Sequence, residues 1–337
     1  MSRLLIRIPH VKPSPEGRPS ACPFCRGPAL QRWGRTPKPL KDPRLHQVEA
    51  HRYRCPQCFR TFRHYPQGVT RPAQSQRTVA LSALLWALGL SLRSLSSLLP
   101  HLGLSLSRMS VLRDVRALTE EVRRRLPLTA PVLGVDGFGV RVKGQRKGVL
   151  VAVEMGEGLP LLLLAVDAGD PRAVAQALGV EVLVSDGLGS YREVAQALGL
   201  GHQACAFHLL RWAGRALSRL RGKVPQGWKA VVEEAWGVVR ARPPDGGKRP
   251  FELYLKVVKE VGKRKGGPLW RLAEVLLRLS GEWGRYTLDR RVFGVPSTNN
   301  RVEQAIGRLR WRALGMRGVK TWAGLEAALL LSHLGVA

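Results

Sequence analysis

Acidic side chains are scarce in this chain of 337 residues: 24 Asp and Glu stand against 55 Lys and Arg, a formal net charge of +31. Such a surface repels itself unless a polyanion neutralises it, which argues against an ordinary solvated face and for nucleic acid as partner. Arginine outnumbers lysine 42 to 13, and its planar fork suits phosphate and guanine. No apolar run reaches the roughly 18 residues that cross a bilayer; the richest, Leu81 to Leu99, is broken by Arg93 and several serines. The opening Met1-Ser2-Arg3-Leu4-Leu5-Ile6-Arg7 is too short and too soon charged for a signal peptide. Of only five cysteines, four fall in two Cys-x-x-Cys pairs, a pattern that predicts metal in a reducing cytoplasm and excludes a disulfide scaffold. Asparagine is nearly missing, and the only two copies stand side by side, Asn299-Asn300, just ahead of Glu303.

Composition along the chain predicts four parts. Residues 1–20, basic and Pro-rich, read as a loose arm. Over 21–70, Cys22-Pro-Phe-Cys25 and Cys55-Pro-Gln-Cys58 read as a zinc ribbon holding one tetrahedral ion on four thiolates. The 29 residues between Cys25 and Cys55 are more than the usual spacing. His46, His51 and His64 lie close enough to replace a thiolate, though four cysteines already suffice. Over 71–128 the apolar period turns helical, with Val79, Leu81, Leu84, Leu85 and Leu88 forming a stripe, a short helix over Leu92–Leu99, and a basic helix from about Ser107 to Arg125. Short helix, glycine-containing turn and basic helix predict a helix-turn-helix, with Arg108, Arg113 and Arg116 as DNA-contacting residues.

From Pro131 the pattern is β: Val132–Val135, Val140–Val142, Val149–Val153 and Leu159–Val166 read as strands, with a hairpin turn at Gly144–Gly148. A helix over Ala173–Leu178, strand Val180–Ser185, helix Tyr191–Leu198, strand His202–Phe207 and helix Leu209–Leu220 follow. An antiparallel meander followed by strand–helix alternation predicts an α/β, RNase H-like catalytic domain over 129–337, with a helical insertion at about 221–290. That order sets the first and fourth strands side by side. Asp136 and Asp186, which end apolar runs on those two strands, would then meet, and with Glu303 they form a carboxylate set for two divalent metals.

Each acid also has a plainer reading. Asp-Gly after a strand is common turn punctuation, and Asn300-Arg-Val-Glu303 fits a capping box. Asp167 and Asp170 compete with the first two aspartates but fall at a strand's other end. Cys205-Ala-Phe-His208 closes the last predicted strand; such a pair is commonly core, and its role stays open.

Asp136, Asp186, Cys205-x-x-His208 and Asn299-Asn300-x-x-Glu303, in this order and spacing, resemble prokaryotic insertion-sequence transposases of the DDE type, in the group related to Mutator-like elements. The resemblance spans the chain from about residue 20. It implies an RNase H-like domain with Asp136, Asp186 and Glu303 binding Mg2+ or Mn2+, and Cys205, His208, Asn299 and Asn300 as auxiliary residues. It further implies a zinc-bearing region that binds terminal inverted repeats, target DNA as second substrate, and at least a homodimer in the DNA complex. Basic residues along 211–223 and 301–317 would hold backbone phosphates. A transposase-derived DNA-binding regulator and an RNase H-like nuclease that does not transpose are the alternatives.

Overall fold

Serine caps and glycine turns, more than the apolar stripes, set where this chain's elements begin and end. The computed structural model describes residues 4–6, 8–127, 129–165, 175–176, 178–262, 265–315, 320–332 and 334–336. Two compact units emerge, one mainly of residues 127–141 and 145–307, the other of residues 3–126, 142–144 and 308–337.

In the second unit, after β1 (Leu4–Ile6), the strands β2 (Gln31–Pro39), β3 (Gln47–Arg54) and β4 (Thr61–His64) form an antiparallel sheet in the order β2-β3-β4. The long stretch between the cysteine pairs is therefore mostly the strands β2 and β3, with a register shift between Arg32 and Arg35. Residues 8–20 are not the loose arm their proline content predicts. Val11 is buried with Leu40, Val48 and Val69, and backbone hydrogen bonds run from Lys12 to Gln67 and from Glu49 to Pro13. One apolar side chain placed against a small core is enough to fix a Pro-rich segment.

Helices α1 (Gln76–Ala87), α2 (Leu92–Leu98) and α3 (Arg108–Arg125) follow. Their N-caps are Ser75, Ser91 and Ser107, whose hydroxyls accept the amides of Thr78, Ser94 and Ser110. A 3-10 turn over Leu99–Leu102, closed by Gly103 in the left-handed region, separates α2 from α3. Asp42, almost wholly enclosed, locks the cysteine-bearing sheet to α1: it accepts from the amides of Arg44 and Leu45, from Ser75 Oγ and from Arg77 Nη1.

The first unit is built on a five-stranded mixed sheet: β5 (Val132–Val142), β6 (Gln145–Glu154), β7 (Pro160–Ala165), β8 (Val182–Ser185) and β9 (Gly201–Ala204), in the order β7-β6-β5-β8-β9. β5 and β6 are joined at Lys143-Gly144, both with positive φ (51 and 82), the two-residue turn that matches strand twist. The predicted turn over Gly144–Gly148 is thus displaced, and most of that segment lies in β6. β6 pairs antiparallel with β7, whereas β5–β8 and β8–β9 are parallel. The predicted helix over Ala173–Leu178 falls mostly outside the described residues, as do Asp167 and Asp170.

Helices α4 (Gly189–Ala197) and α5 (Ala206–Arg221) flank the parallel strands in sequence, and α6 (Lys229–Ala241), α7 (Lys248–Val261) and α8 (Pro268–Tyr286) make up the helical stretch expected near 221–290. One core joins α5 to α8, with Leu209, Leu217, Leu253, Leu276 and Trp283 inside it. The Pro-Pro-Asp-Gly-Gly break after α6 is anchored by Arg242, which donates twice to Asp289 at 3.0 Å.

Helix α9 (Asn300–Gly315) closes the first unit through Gly307; its remainder, with α10 (Trp322–Leu331) and β10 (Leu334–Val336), belongs to the second unit. α10 is apolar nearly all round, with Leu325 and Ala327–Leu331 buried, so it needs cover on every side. It packs on α1 and α3, and Arg123 pairs with Glu326. β10 pairs parallel with β1. Among the described residues no helix is long and apolar enough to cross a membrane.

Candidate active site

β5 does not end at Asp136. The strand runs on through Asp136-Gly137 to Val142, so the Asp-Gly pair that reads as punctuation lies mid-strand. Register, not strand end, places the carboxylate. Gly134 pairs with Val184, which sets Asp136 and Asp186 each two residues beyond a matched position on neighbouring parallel strands. Residues two apart share a face of the sheet. Asp136 Oδ1 accepts the Gly137 amide at 2.7 Å, and Asp186 Oδ1 accepts the Leu188 amide at 3.1 Å. Gly187, at φ 91, makes the turn out of β8.

The third acid arrives on α9, whose start is held by Asn299. This side chain is fully enclosed and donates from Nδ2 to the Val135 carbonyl at 2.9 Å, next to Asp136. The Asn299 backbone carbonyl accepts the amides of Val302 and Glu303. Asn299, just ahead of the helix, therefore takes the cap position in place of Asn300, and among the described residues no hydrogen bond of the capping box expected between Asn300 and Glu303 is found. Glu303 is left exposed, without a reciprocal backbone bond to occupy it. Gly134 makes the approach possible: a Cβ there would lie 2.4 Å from Met155 Sδ and 2.6 Å from Val302 Cγ2.

Burial pushes the Asp136 carboxyl above its ordinary range. The Gly137 amide opposes this, the charges of Asp186 and Glu303 add to it, and His208 counters them. Asp186 and Glu303 thus both bear on Asp136, and the three acids form a cluster around it. It is a loose one, since among the described residues only the four cysteines bring their ligand atoms all within 4.8 Å of one another. A two-ion site with about 4 Å between metals, completed by waters and substrate, does not require tighter convergence.

Cys205 and His208 do not close a strand, because β9 stops at Ala204 and α5 begins at Ala206. Cys205 is the buried cap residue between them. Its amide donates to the Ser185 carbonyl at 2.8 Å, and its sulfur accepts the Asn299 amide at 3.5 Å. A thiol so engaged ties α5 and the start of α9 together, and the Cys205 amide adds β8. His208 sits in the first turn of α5, and its Nδ1 is enclosed without a protein hydrogen-bond partner. Tyr191 was not singled out by sequence: its hydroxyl lies 3.6 Å from where a Cβ on Gly137 would stand. Burial, then the charges of Asp136 and Asp186, holds that hydroxyl protonated well above its usual range. Only its position early in the helix after Asp186 could have flagged it.

Asn299→Ala strands the Val135 carbonyl, and a buried acceptor left unpaired costs about 1–3 kcal/mol. The melting temperature falls accordingly, and any activity that needs Glu303 falls with it. Calorimetry of the variant beside wild type checks the first effect.

The four cysteines form a separate site in the other unit. Cys22 and Cys58 sulfurs lie 3.7 Å apart and Cys25 and Cys55 sulfurs 3.5 Å, close to the ~3.8 Å edge of a tetrahedron with zinc–sulfur bonds of about 2.3 Å. The two knuckles repeat one geometry. Cys22 donates to Gly27 and Cys55 to Arg60, while Arg26 and Phe59 turn through positive φ (60 and 57). Backbone amides of Cys58 and Gln57 lower the Cys55 thiol to about 7, while its neighbour Cys25 is raised to about 12, so of this hydrogen-bonded pair Cys55 is the one that gives up its proton first. The four thiols could hold zinc. His51 instead meets Glu49 at 2.9 Å, and His64 packs edge-on against Tyr53.

Arg108, Arg113 and Arg116 are exposed on α3, and among the described residues they make no ion pair, unlike Arg123 and Arg125 at the helix end. The basic residues expected to hold phosphates along 301–317 are not equivalent. Arg312 is fully buried, stacked 4.2 Å over the Trp86 ring and donating to the Leu90 carbonyl at 3.2 Å, so it braces the end of α1. Burial lowers its pKa to about 10. Arg317 lies outside the described residues. No protein-family model matches this chain, and no curated protein matches it.

Proposed function

We propose that this chain is a DDE-type DNA transposase, cutting the ends of a mobile element and joining them to target DNA on one RNase H-like site. The observation that carries the reading is the β5–β8 register, in which Gly134 pairs with Val184, two residues ahead of Asp136 on β5 and of Asp186 just past the end of β8. Glu303 joins the same electrostatic cluster from the first turn of α9.

The donor set fits a hard divalent cation: three carboxylates, one of them raised in pKa by burial and then by its acidic neighbours, and an imidazole nitrogen that has no partner among the described residues. Asp136, Asp186 and Glu303 would together hold Mg2+ or Mn2+. Bound there, such ions activate a water and then a DNA 3′-hydroxyl, and stabilise the leaving oxygen of the in-line displacement. The chain's own contribution is alignment. The sheet fixes the aspartates, Asn299 and Cys205 fix the start of α9, and Tyr191 offers a protonated hydroxyl beside the acids. His208 supplies a ring nitrogen at the edge of the cluster.

Recognition of the element ends falls to the other unit. The cysteine module acts as a zinc ribbon, and α2–α3 as a helix-turn-helix whose Arg108, Arg113 and Arg116 meet the duplex. Joining two ends in one complex requires at least a dimer on DNA.

The test is incubation with magnesium and labelled duplexes tiled across the DNA flanking the chain's own gene. A transposase binds one repeated sequence there, cuts at its edge and yields products joined to a second duplex. Sequence-specific binding without cutting would leave a regulator. Cutting of four-way junctions without sequence preference would leave a nuclease.

A further inference from the structure

Several arginines of the first unit are matched with acid: Arg221 meets Glu233 at 2.7 Å, Arg249 meets Glu234 at 2.7 Å, Arg285 meets Glu282 at 3.0 Å and Arg242 meets Asp289 at 3.0 Å. Arg211, Arg215 and Arg219 are not, and they stand together. All three are exposed, and among the described residues none has an acidic partner. They stand four residues apart on one face of α5, about 6 Å from each to the next along the helix. Like charges at that spacing destabilise a helix, so the arrangement is costly in the free protein and becomes favourable only when a polyanion neutralises it.

The same face forms a groove of about 470 Å³ lined by His208, Arg211, Trp212, Arg215, Ala216 and Arg219. Trp212 is held from behind by Arg278, whose guanidinium lies 4.4 Å from the ring centre. At the groove's end His208 keeps its enclosed Nδ1 without a protein partner. Cys205, three residues ahead of His208, donates its amide to the Ser185 carbonyl beside Asp186 at 2.8 Å, so this end of α5 stands next to Asp186.

We propose that this α5 groove binds the phosphate backbone of the DNA strand that enters the carboxylate cluster, with Arg211, Arg215 and Arg219 meeting successive phosphates and His208 marking the end next to the acids. The spacing of the arginines is comparable with that of phosphates along one strand, and the contacts carry no base readout. The assignment of a strand entering the acids rests on the proposed DNA-cutting function; the groove's affinity for a phosphate backbone does not.

The experiment measures binding of a fluorescent random-sequence DNA duplex by the full chain across a salt series. Each phosphate contact contributes about 0.9 to the slope of log affinity against log salt. The triple variant Arg211→Gln, Arg215→Gln, Arg219→Gln should be shallower than wild type by about 2.7. The corresponding triple change to Lys keeps the slope, and Arg249→Gln, which removes an arginine already paired, leaves it unaltered. If the Gln triple fails to fold, Arg215→Gln alone should lose about 0.9. A wild-type slope in the Gln triple, or in Arg215→Gln where that variant stands in for it, overturns the groove whatever the cleavage result. A shallower slope in a chain that never cuts DNA with magnesium supports the groove and sinks the cutting function instead.

Discussion

On the proposed function, changing Asp186 to Asn should lower magnesium-dependent DNA cleavage by at least roughly 10³-fold, because the proposed metal ligand, worth several kcal/mol of transition-state stabilisation, would be lost. Duplex affinity stays within a small factor of wild type, since the backbone around Asp186 is set by β8 and by Gly187, and Asn can still accept the Leu188 amide. The variant also relieves repulsion: Asp186 is one of the charges that raise the Asp136 carboxyl. Asp136 therefore moves toward its ordinary pKa, and the metal-free variant is no less stable than the parent. Gel-based cleavage with binding measured in parallel separates these effects. Cleavage that persists near the wild-type rate removes Asp186 from the metal set.

Cys55→Ser acts on the other unit and is the largest stability effect expected. The core beside the cysteines holds little more than Cys22, Leu30, Tyr53 and Cys55, too small to fold without a cross-link or metal. Structural zinc supplies about 10–16 kcal/mol to such modules, and replacing one of four thiolates forfeits most of it. Metal analysis should find one zinc per wild-type chain and almost none in the variant. Hydrogen exchange should rise over β2, β3 and β4 while the five-stranded sheet keeps its protection. Unchanged zinc content in Cys55→Ser would contradict the site.

Much of this architecture is legible in the sequence because local chemistry dictates it. Ser75, Ser91 and Ser107 cap helices as their type predicts, and the cysteine knuckles announce themselves by spacing. The pairing of β5 with β8 follows from the order of strands and helices. What the sequence hides is tertiary. Asn299 and Asn300 are interchangeable as letters, and only the Val135 carbonyl and the Cys205 sulfur choose between them. Arg312 reads as one more surface cation on a basic helix, yet Trp86 and the end of α1 enclose it. Val11 is a single apolar residue in a Pro-rich run, without periodicity to reveal that it is buried. Tyr191 carries no motif at all, and its place beside the acids depends on how α4 leaves β8. The end of β5 was misplaced because Asp136-Gly137 has the composition of a turn while the ladder carries the strand through it.

The most direct measurement is anomalous scattering from manganese in crystals of the protein bound to a DNA duplex. The account predicts a manganese peak between Asp136 and Asp186 with Glu303 closed onto it. DNA-bound crystals soaked in manganese that show no peak at these three carboxylates would contradict it.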